Sequence, residues 1–179
     1  MSQVSKKVQW CLNKAKRELK EKGLHRGLIK LESNQELAEK HLKKAEHNLK
    51  AAHYFEQGGF SDWSPSAFFY VIYHCFLAIL RKFGYESRNQ ECTIAVIEML
   101  KLTGKINIEN KFIDTLKINT LEEIHQSTTI ELRETFQYGI ETKFEKTEEF
   151  KRLANLCQEI IEKTKNILFE MKENERNRS

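Results

Sequence analysis

The chain has 179 residues, which is enough for one domain of ordinary size. It contains one proline and seven glycines, and Leu, Ile, Ala, Glu and Lys dominate, so the composition favours an all-α protein. The net charge of +4 is uneven, because residues 1–30 hold nine Lys or Arg and two Glu (+7), whereas residues 31–179 hold 21 Lys or Arg and 24 Asp or Glu (−3). All the surplus positive charge therefore lies in the first thirty residues.

Apolar stretches and cysteines exclude several classes of protein. The run 67–80 is too short to cross a bilayer and contains His74, so we expect no membrane span. The N-terminus has no apolar signal core, which predicts a cytoplasmic protein. The four cysteines are Cys11, Cys75, Cys92 and Cys157. None lies in a C-x-x-C pair or at zinc-finger spacing from a histidine, so we predict buried thiols, no metal site and no cofactor.

Residues 4–22 have the pattern of a basic amphipathic helix. Its apolar positions follow helical spacing and are Val4, Val8, Cys11, Leu12, Ala15 and Leu19. The other positions are mostly Lys and Arg, and Trp10 is the one aromatic residue. Such a helix could grip nucleic acid, lie on an anionic membrane or dock its apolar stripe on the rest of the protein, and we favour docking. Together with a turn or linker at residues 23–33, it forms the first predicted segment, residues 1–33.

The remaining chain reads as one helical bundle. Helices are predicted over about 34–57, 64–83, 89–102, 109–125, 129–143 and 146–174. The first of these has Ser33 as a candidate N-cap with Glu36 as the partner of a capping box. The second is apolar almost all round, as expected for the central helix of a bundle. We therefore predict an up-and-down bundle over residues 34–174, followed by a frayed tail at 175–179.

The stretch S-R-N-Q-E-C-T, residues 87–93, opens the helix predicted from residue 89. Ser87 or Asn89 is expected to cap this helix. A positive charge next to a helix N-terminus is unfavourable, so Arg88 should have a partner elsewhere. Arg88, with Gln90 beside it, is a candidate for ligand binding.

A second polar cluster lies in E-L-R-E-T-F-Q-Y-G, residues 131–139. Glu134 and Tyr138 lie one helical turn apart and share part of a face. Arg133 is offset from them and is expected to point into the bundle or across a subunit interface, unless it forms an ordinary surface ion pair. His74, the only histidine in the apolar helix, is more often a hydrogen-bonded core residue than a catalyst.

Three features of residues 34–102 together resemble the HEPN domain family. They are the long helix E-L-A-E-K-H-L-K-K-A-E-H-N-L-K-A-A-H-Y-F, the turn G-G-F-S-D-W and the aromatic-histidine helix S-A-F-F-Y-V-I-Y-H-C-F-L-A-I-L. The resemblance is weaker over 130–170 and excludes the first thirty residues. It implies an up-and-down helical bundle, often dimeric, with roles around RNA or nucleotides. Many members are metal-independent ribonucleases, and others partner small nucleotidyltransferases.

The ribonuclease members of that family carry an arginine that is followed, after four to six intervening residues, by a histidine. No histidine follows Arg81, Arg88 or Arg133 at that spacing, and Arg17 reaches His25 only after seven intervening residues. The histidine of the motif is the expected proton-transfer group. The resemblance therefore does not extend the family's commonest activity to this chain.

The sequence leads to two functional hypotheses. The first is a binding or regulatory module for RNA, a nucleotide or a protein partner such as a nucleotidyltransferase, with a homodimer expected. Its candidate ligand-binding residues are Arg88, Gln90, Arg133, Tyr138 and His74. The alternative is a divergent, toxin-like, metal-independent endoribonuclease that uses Arg133, with Glu134 and His74, across a dimer interface. A purely structural role, in which Arg88 and Arg133 pair with nearby glutamates, has at least equal weight.

Overall fold

The computed structural model describes residues 2–117, 128–144 and 147–176. Within these ranges the chain is predominantly helical, so the predicted all-α class is confirmed. The helices are α1 (Gln3–Lys22), α2 (Gln35–Gln57), α3 (Ser64–Lys82), α4 (Gln90–Leu102), α5 (Asn110–Asp114), α6 (Thr129–Tyr138) and α7 (Thr147–Arg176), with a short 3-10 helix at Ser61–Trp63. Two short strands, β1 (Leu28–Lys30) and β2 (Tyr85–Ser87), form an antiparallel pair.

Side-chain caps determine where two of these helices begin. The Asn34 side chain caps α2 by accepting a hydrogen bond from the Leu37 amide at 2.8 Å. The predicted cap Ser33 is therefore wrong by one residue; its hydroxyl instead donates to the carbonyl of Lys82 at 2.7 Å. Asparagine and serine are equally good caps, so their order in the sequence could not decide between them. Asn89 caps α4, as predicted.

The chain divides into two compact units. Unit 1 contains the described residues of Met1–His41, Phe76–Ile108 and Thr164–Ser179. Unit 2 contains the described residues of Leu42–Cys75 and Glu109–Lys163. The division of the chain after residue 33 and the tail at 175–179 remain predictions.

In unit 1, α1 packs against α4. The side chains that α1 buries are Val8, Cys11 and Ala15, which repeat at helical spacing along one stripe. Gly27 in the following loop lies so close to this helix that an added Cβ would come within 3.2 Å of the Ala15 Cβ. The apolar stripe is thus docked on the protein, which is the arrangement that the sequence favoured.

A disulfide joins Cys11 on α1 to Cys92 on α4, with the two Cα atoms 5.9 Å apart. The prediction of buried thiols is therefore wrong for these two residues. The 81-residue separation between them gives no local pattern, and only the packing of α1 on α4 brings them into disulfide range. Cys75 and Cys157 are buried thiols outside the disulfide, as predicted. Burial, with a smaller effect of Cys75, raises the pKa of Cys157.

The sequence predicts neither strand: residues 23–33 have the pattern of a turn or linker, and no element is predicted between the helices at 64–83 and 89–102. Each strand has three residues, too few to show an alternating pattern. Ile29 faces Glu86 in the antiparallel register. Gly84 makes the close approach feasible: its φ is +75°, and an added Cβ would lie 2.5 Å from the Leu31 carbonyl oxygen. The pairing fixes β2 immediately before the start of α4.

Unit 2 is built around aromatic side chains of α3. Phe68 is fully buried and meets Phe150 edge to face at a centroid distance of 5.0 Å. Ser64, also buried, donates its hydroxyl to the Ala52 carbonyl at 3.0 Å and so ties the start of α3 to α2. The Phe144 amide donates to the Ser61 hydroxyl at 2.8 Å. These contacts hold the segment after α6 on the start of α3.

Two predicted helices in unit 2 are shorter than expected. The one predicted over 109–125 is a helix only at Asn110–Asp114, with turn residues to 117; residues 118–125 lie outside the described part. The one predicted over 129–143 ends at Tyr138. There Gly139 takes an extended conformation, and a Cβ on it would lie 2.3 Å from the Thr135 carbonyl oxygen.

One described segment, Ser61–Lys82, is long and apolar enough to cross a membrane by length and composition alone. The prediction had counted only 67–80 and found the run too short. In the structure 67% of the most apolar window is buried inside the protein, which is typical of a core helix. The absence of a membrane span stays a prediction.

Candidate functional site

Strand β2 places Glu86 between two arginines of unit 1. One carboxylate oxygen accepts from Arg81 Nη2 at 2.6 Å, and the other accepts from Arg88 Nε at 3.2 Å. The imidazole of His25 lies 3.5 Å from the second oxygen. Burial acts to raise the pKa of Glu86, but the two guanidiniums outweigh it and hold this pKa below its ordinary value. Arg88 therefore has the partner beyond the helix start that the sequence predicted.

Arg88 is held at one point and open elsewhere. Its side chain is 55% exposed, compared with 16% for Arg81. Its backbone amide donates to the Gly27 carbonyl at 3.0 Å, which fixes its main chain against the loop after α1. Glu86 engages Nε, and the contacts found among the described residues leave the two terminal amino groups of the guanidinium to meet a ligand.

A pocket of about 520 Å³ lies beside Arg88. It is lined by Lys14, Glu18, Lys22, Leu24, Arg26, Arg88 and Asn89. Four of these side chains are cations and one is a carboxylate, so the lining carries a net charge of +3. The N-terminus of α4, capped by Asn89, adds partial positive charge. A pocket of this charge suits an anion such as phosphate.

The single acidic residue of the pocket is occupied by the protein itself. Glu18 accepts a hydrogen bond from the Arg26 amide at 2.7 Å, and this bond is the main cause of its lowered pKa. Glu18 is therefore ionised at neutral pH and serves to turn the chain after α1. Its charge offsets only one of the surrounding cations.

The residues that line the pocket differ from those that the sequence predicted. Gln90, predicted with Arg88, is the half-buried first residue of α4, and its neighbour Asn89 lines the pocket instead. The lysines and the arginine contributed by α1 and its loop were not predicted as site residues. Their only signal in the sequence was the excess positive charge of the first thirty residues.

In unit 2, α6 places Arg133 against an aromatic ring. Its guanidinium carbon lies 4.4 Å from the centroid of the Phe69 ring, and the side chain is only 18% exposed. Glu134 Oε1 is 3.5 Å from Nη2, and the Nε of Arg133 is buried with no hydrogen-bond partner among the described residues. Arg133 is thus mainly packed, with one polar atom unused.

The other predicted residues of unit 2 surround this cluster unevenly. Phe69 stacks on Tyr73 at a centroid distance of 5.9 Å, and the rings of Tyr73 and His74 are 6.5 Å apart. His74 is half-buried, so ring contacts on α3 extend from Arg133 towards it. Tyr138, at the end of α6, is 77% exposed. Glu131, in the predicted acidic pattern, caps its own helix with Thr128.

The predicted candidates therefore fall into two groups. Arg88 and Gln90 belong to unit 1, whereas Arg133, Glu134, Tyr138 and His74 belong to unit 2. Within the described ranges, no three His, Cys, Asp or Glu side chains are grouped as metal ligands would be. Arg88, from the first group, lines a cationic pocket.

Comparison with known proteins identifies the family to which this scaffold belongs. The family model for the HEPN domain matches residues 38–168, which is more than two thirds of the chain. A search of curated proteins gives no significant match. The matched region contains both arginines but leaves out α1 and β1, and the family supports a role connected with RNA or nucleotides in general. The chain belongs to the HEPN domain family, as the resemblance of residues 34–102 predicted.

Proposed function

We propose that this protein is a HEPN module that binds a phosphate-bearing ligand, RNA or a nucleotide, without cleaving it. The observation that carries the proposal is the convergence of four cations on one solvent-open pocket with a net charge of +3. Phosphate is the common anionic group of both ligands, and arginine and lysine are its usual protein partners.

Arg88 is the central contact in this proposal. Glu86 orients its guanidinium from behind through Nε, and Glu86 is itself held by Arg81. An arginine fixed in this way loses little side-chain freedom when its terminal amino groups meet a phosphate. Lys14 and Lys22 lie two helical turns apart on α1 and supply charge along the pocket rather than a fixed geometry.

The second candidate function is the divergent metal-independent endoribonuclease centred on Arg133. The buried, unpartnered Nε of Arg133 supports it, because an unused buried donor often belongs to a functional site. Its stacking on Phe69 and low exposure favour a packing role. No replacement for the missing histidine of the ribonuclease motif is evident in the sequence, so we rank cleavage below binding. A second copy or a nucleotidyltransferase remains the proposed protein partner.

Titration of the purified protein with inorganic tripolyphosphate and with a labelled RNA oligonucleotide tests the proposal. We expect both to bind, and Arg88→Gln to weaken both by about tenfold. Arg17→Gln is the matched control, since Arg17 is exposed on the same helix and does not line the pocket. Equal loss in the two variants would show general charge attraction instead of a site. RNA cleavage that Arg133→Ala abolishes would favour the second candidate.

A further inference from the structure

We infer that the ligand of this pocket is a single-stranded RNA, which stacks one base on Trp10 of α1 and places the adjoining phosphates in the pocket. This inference rests on the proposed function, because it uses the same cationic lining. It adds a base-recognition surface on α1, a helix that lies outside the region matched by the family model.

The two faces of α1 serve different purposes. The face with Val8, Cys11 and Ala15 is fully committed to the protein interior. Trp10 points away from it, and its side chain is 52% exposed. Docking on the protein and binding of nucleic acid, which the sequence left as alternatives, therefore use different faces and are compatible.

Lys14 connects Trp10 to the pocket. Its ammonium group is 5.2 Å from the centroid of the Trp10 ring, and its side chain also lines the pocket. On the other side of the ring along the helix, the Lys7 ammonium lies 5.0 Å from the centroid and pairs with Glu91 at 2.6 Å. An exposed indole beside cations is the combination that binds single strands, because a base stacks while the backbone meets positive charge.

The spacing along α1 fits a strand rather than a single phosphate. From Trp10 to Lys22 the helix rises about 18 Å, enough to accompany several nucleotides. Lys14 lies between them along the helix, and Arg88 lines the same pocket. A base on Trp10 would displace the Lys14 ammonium from the ring, and that ammonium would then pair with the adjacent phosphate. Duplex RNA offers no free base face to Trp10.

The geometry of α1 argues against a membrane surface as the occupant. A helix that lies on a bilayer inserts its apolar face, and the apolar stripe of α1 is buried against α4. What remains outside is a basic face with one indole and the partly exposed Leu19. This surface can attract an anion but has little apolar area to insert.

The first experiment compares two exposed tryptophans. Trp10→Ala is expected to weaken binding of a labelled single-stranded RNA by about tenfold, with little effect on duplex RNA or on inorganic tripolyphosphate. Trp63→Ala is the matched control, because Trp63 is 55% exposed and belongs to unit 2. It should bind single-stranded RNA like the unaltered protein, and thermal melting checks that both variants fold.

The second experiment reports the stacking directly. The chain has two tryptophans, so Trp63→Phe leaves Trp10 as the only indole. Single-stranded RNA should quench the fluorescence of this variant, whereas an abasic ribose-phosphate oligomer of the same length should bind without comparable quenching. This readout does not depend on the stability of Trp10→Ala.

Each outcome separates the inference from the proposed function. Loss of binding in Arg88→Gln with no effect of Trp10→Ala and no quenching would overturn the stacking inference and leave the phosphate pocket standing. Absence of any RNA or tripolyphosphate binding by the unaltered protein would remove both. Binding of the protein to vesicles of anionic lipid through Trp10, without binding of RNA, would identify a membrane as the occupant and overturn the inference.

Discussion

Arg88 of unit 1 and Arg133 of unit 2 place the same chemical group in opposite settings. Arg88 is anchored through Nε by a carboxylate and is 55% exposed. Arg133 lies over the ring of Phe69 and is 18% exposed. A guanidinium that is fixed through Nε and has exposed terminal amino groups is preorganised for a ligand. One that covers an aromatic ring contributes mainly to packing. Exposure and the manner of anchoring therefore distinguish two arginines that the sequence ranked alike.

The two regions also differ in what the family contributes. The whole Arg133 cluster lies within residues 38–168, the part matched by the HEPN family model. The pocket beside Arg88 combines a matched residue with lysines and an arginine from α1 and its loop, which lie outside that match. Family membership thus accounts for the scaffold, while the charged pocket depends on a segment added before it.

The largest effect is expected from removing the disulfide that attaches α1 to α4. In Cys11→Ala/Cys92→Ala the disulfide is lost, and its long loop predicts a free energy of unfolding lower by about 4 kcal/mol. Urea unfolding measures this change, and hydrogen exchange should show loss of protection in α1. Reductant should destabilise the unaltered protein and the control Cys75→Ala equally but leave the double variant unchanged. Insensitivity of the unaltered protein to reductant would contradict the prediction.

Truncation of Arg133 comes next in size. Arg133→Ala removes the contact with Phe69 and the packing of the side-chain stem, so we expect unfolding free energy to fall by about 2 kcal/mol. Arg133→Met keeps the stem and should cost less than half as much. Thermal or urea unfolding gives both values, and RNA titration should show unchanged binding. If Arg133→Met abolished binding while folding normally, the contrast between the two arginines would fail.

Arg88→Gln should show the reverse pattern, with a small effect on stability and a large one on binding. The ion pair with Glu86 is more than half exposed on the arginine side, and Glu86 retains Arg81, so the unfolding free energy should fall by less than about 1 kcal/mol. Urea unfolding measures it beside the binding titration. A loss as large as that of Arg133→Ala would mean that Arg88 is a structural residue.

The sequence predicted the parts of this picture that have a local signal. Spacing and helix electrostatics over a few residues predict the apolar stripe of α1, the Asn89 cap and the unfavourable position of Arg88. The Cys11–Cys92 bond and the meeting of Lys14 with Arg88 join positions far apart in the chain, and they exist only after α1 has packed on α4. Strands of three residues leave no periodic pattern to recognise, so β1 and β2, which position Glu86, could not be predicted either.

The smallest expected effect tests the anchoring carboxylate through pH. The pKa of Glu86 is lowered on folding, so its contribution to stability is complete above its ordinary pKa of 4.5 and is lost as the pH falls through the lower folded value. His41 acts at higher pH: burial, then the charge of Arg81, lowers its pKa from 6.5 against a smaller opposing effect of Glu86, so protonation below about pH 6.5 disfavours folding. The free energy of unfolding of the unaltered protein, measured with urea, should therefore fall in two steps as the solution is acidified.

Glu86→Gln acts on both steps in opposite directions. The variant has no charge to protonate at this position, so the loss of stability below pH 4.5 should be shallower than in the unaltered protein. The loss that begins near pH 6.5 should become larger, because the charge of Glu86 no longer raises the pKa of His41. At neutral pH the variant should also bind RNA more weakly, because Arg88 would lose its charged anchor. Identical pH profiles would show that Glu86 does not hold the two arginines as a charged group, and the orienting role given to it behind Arg88 would then be wrong.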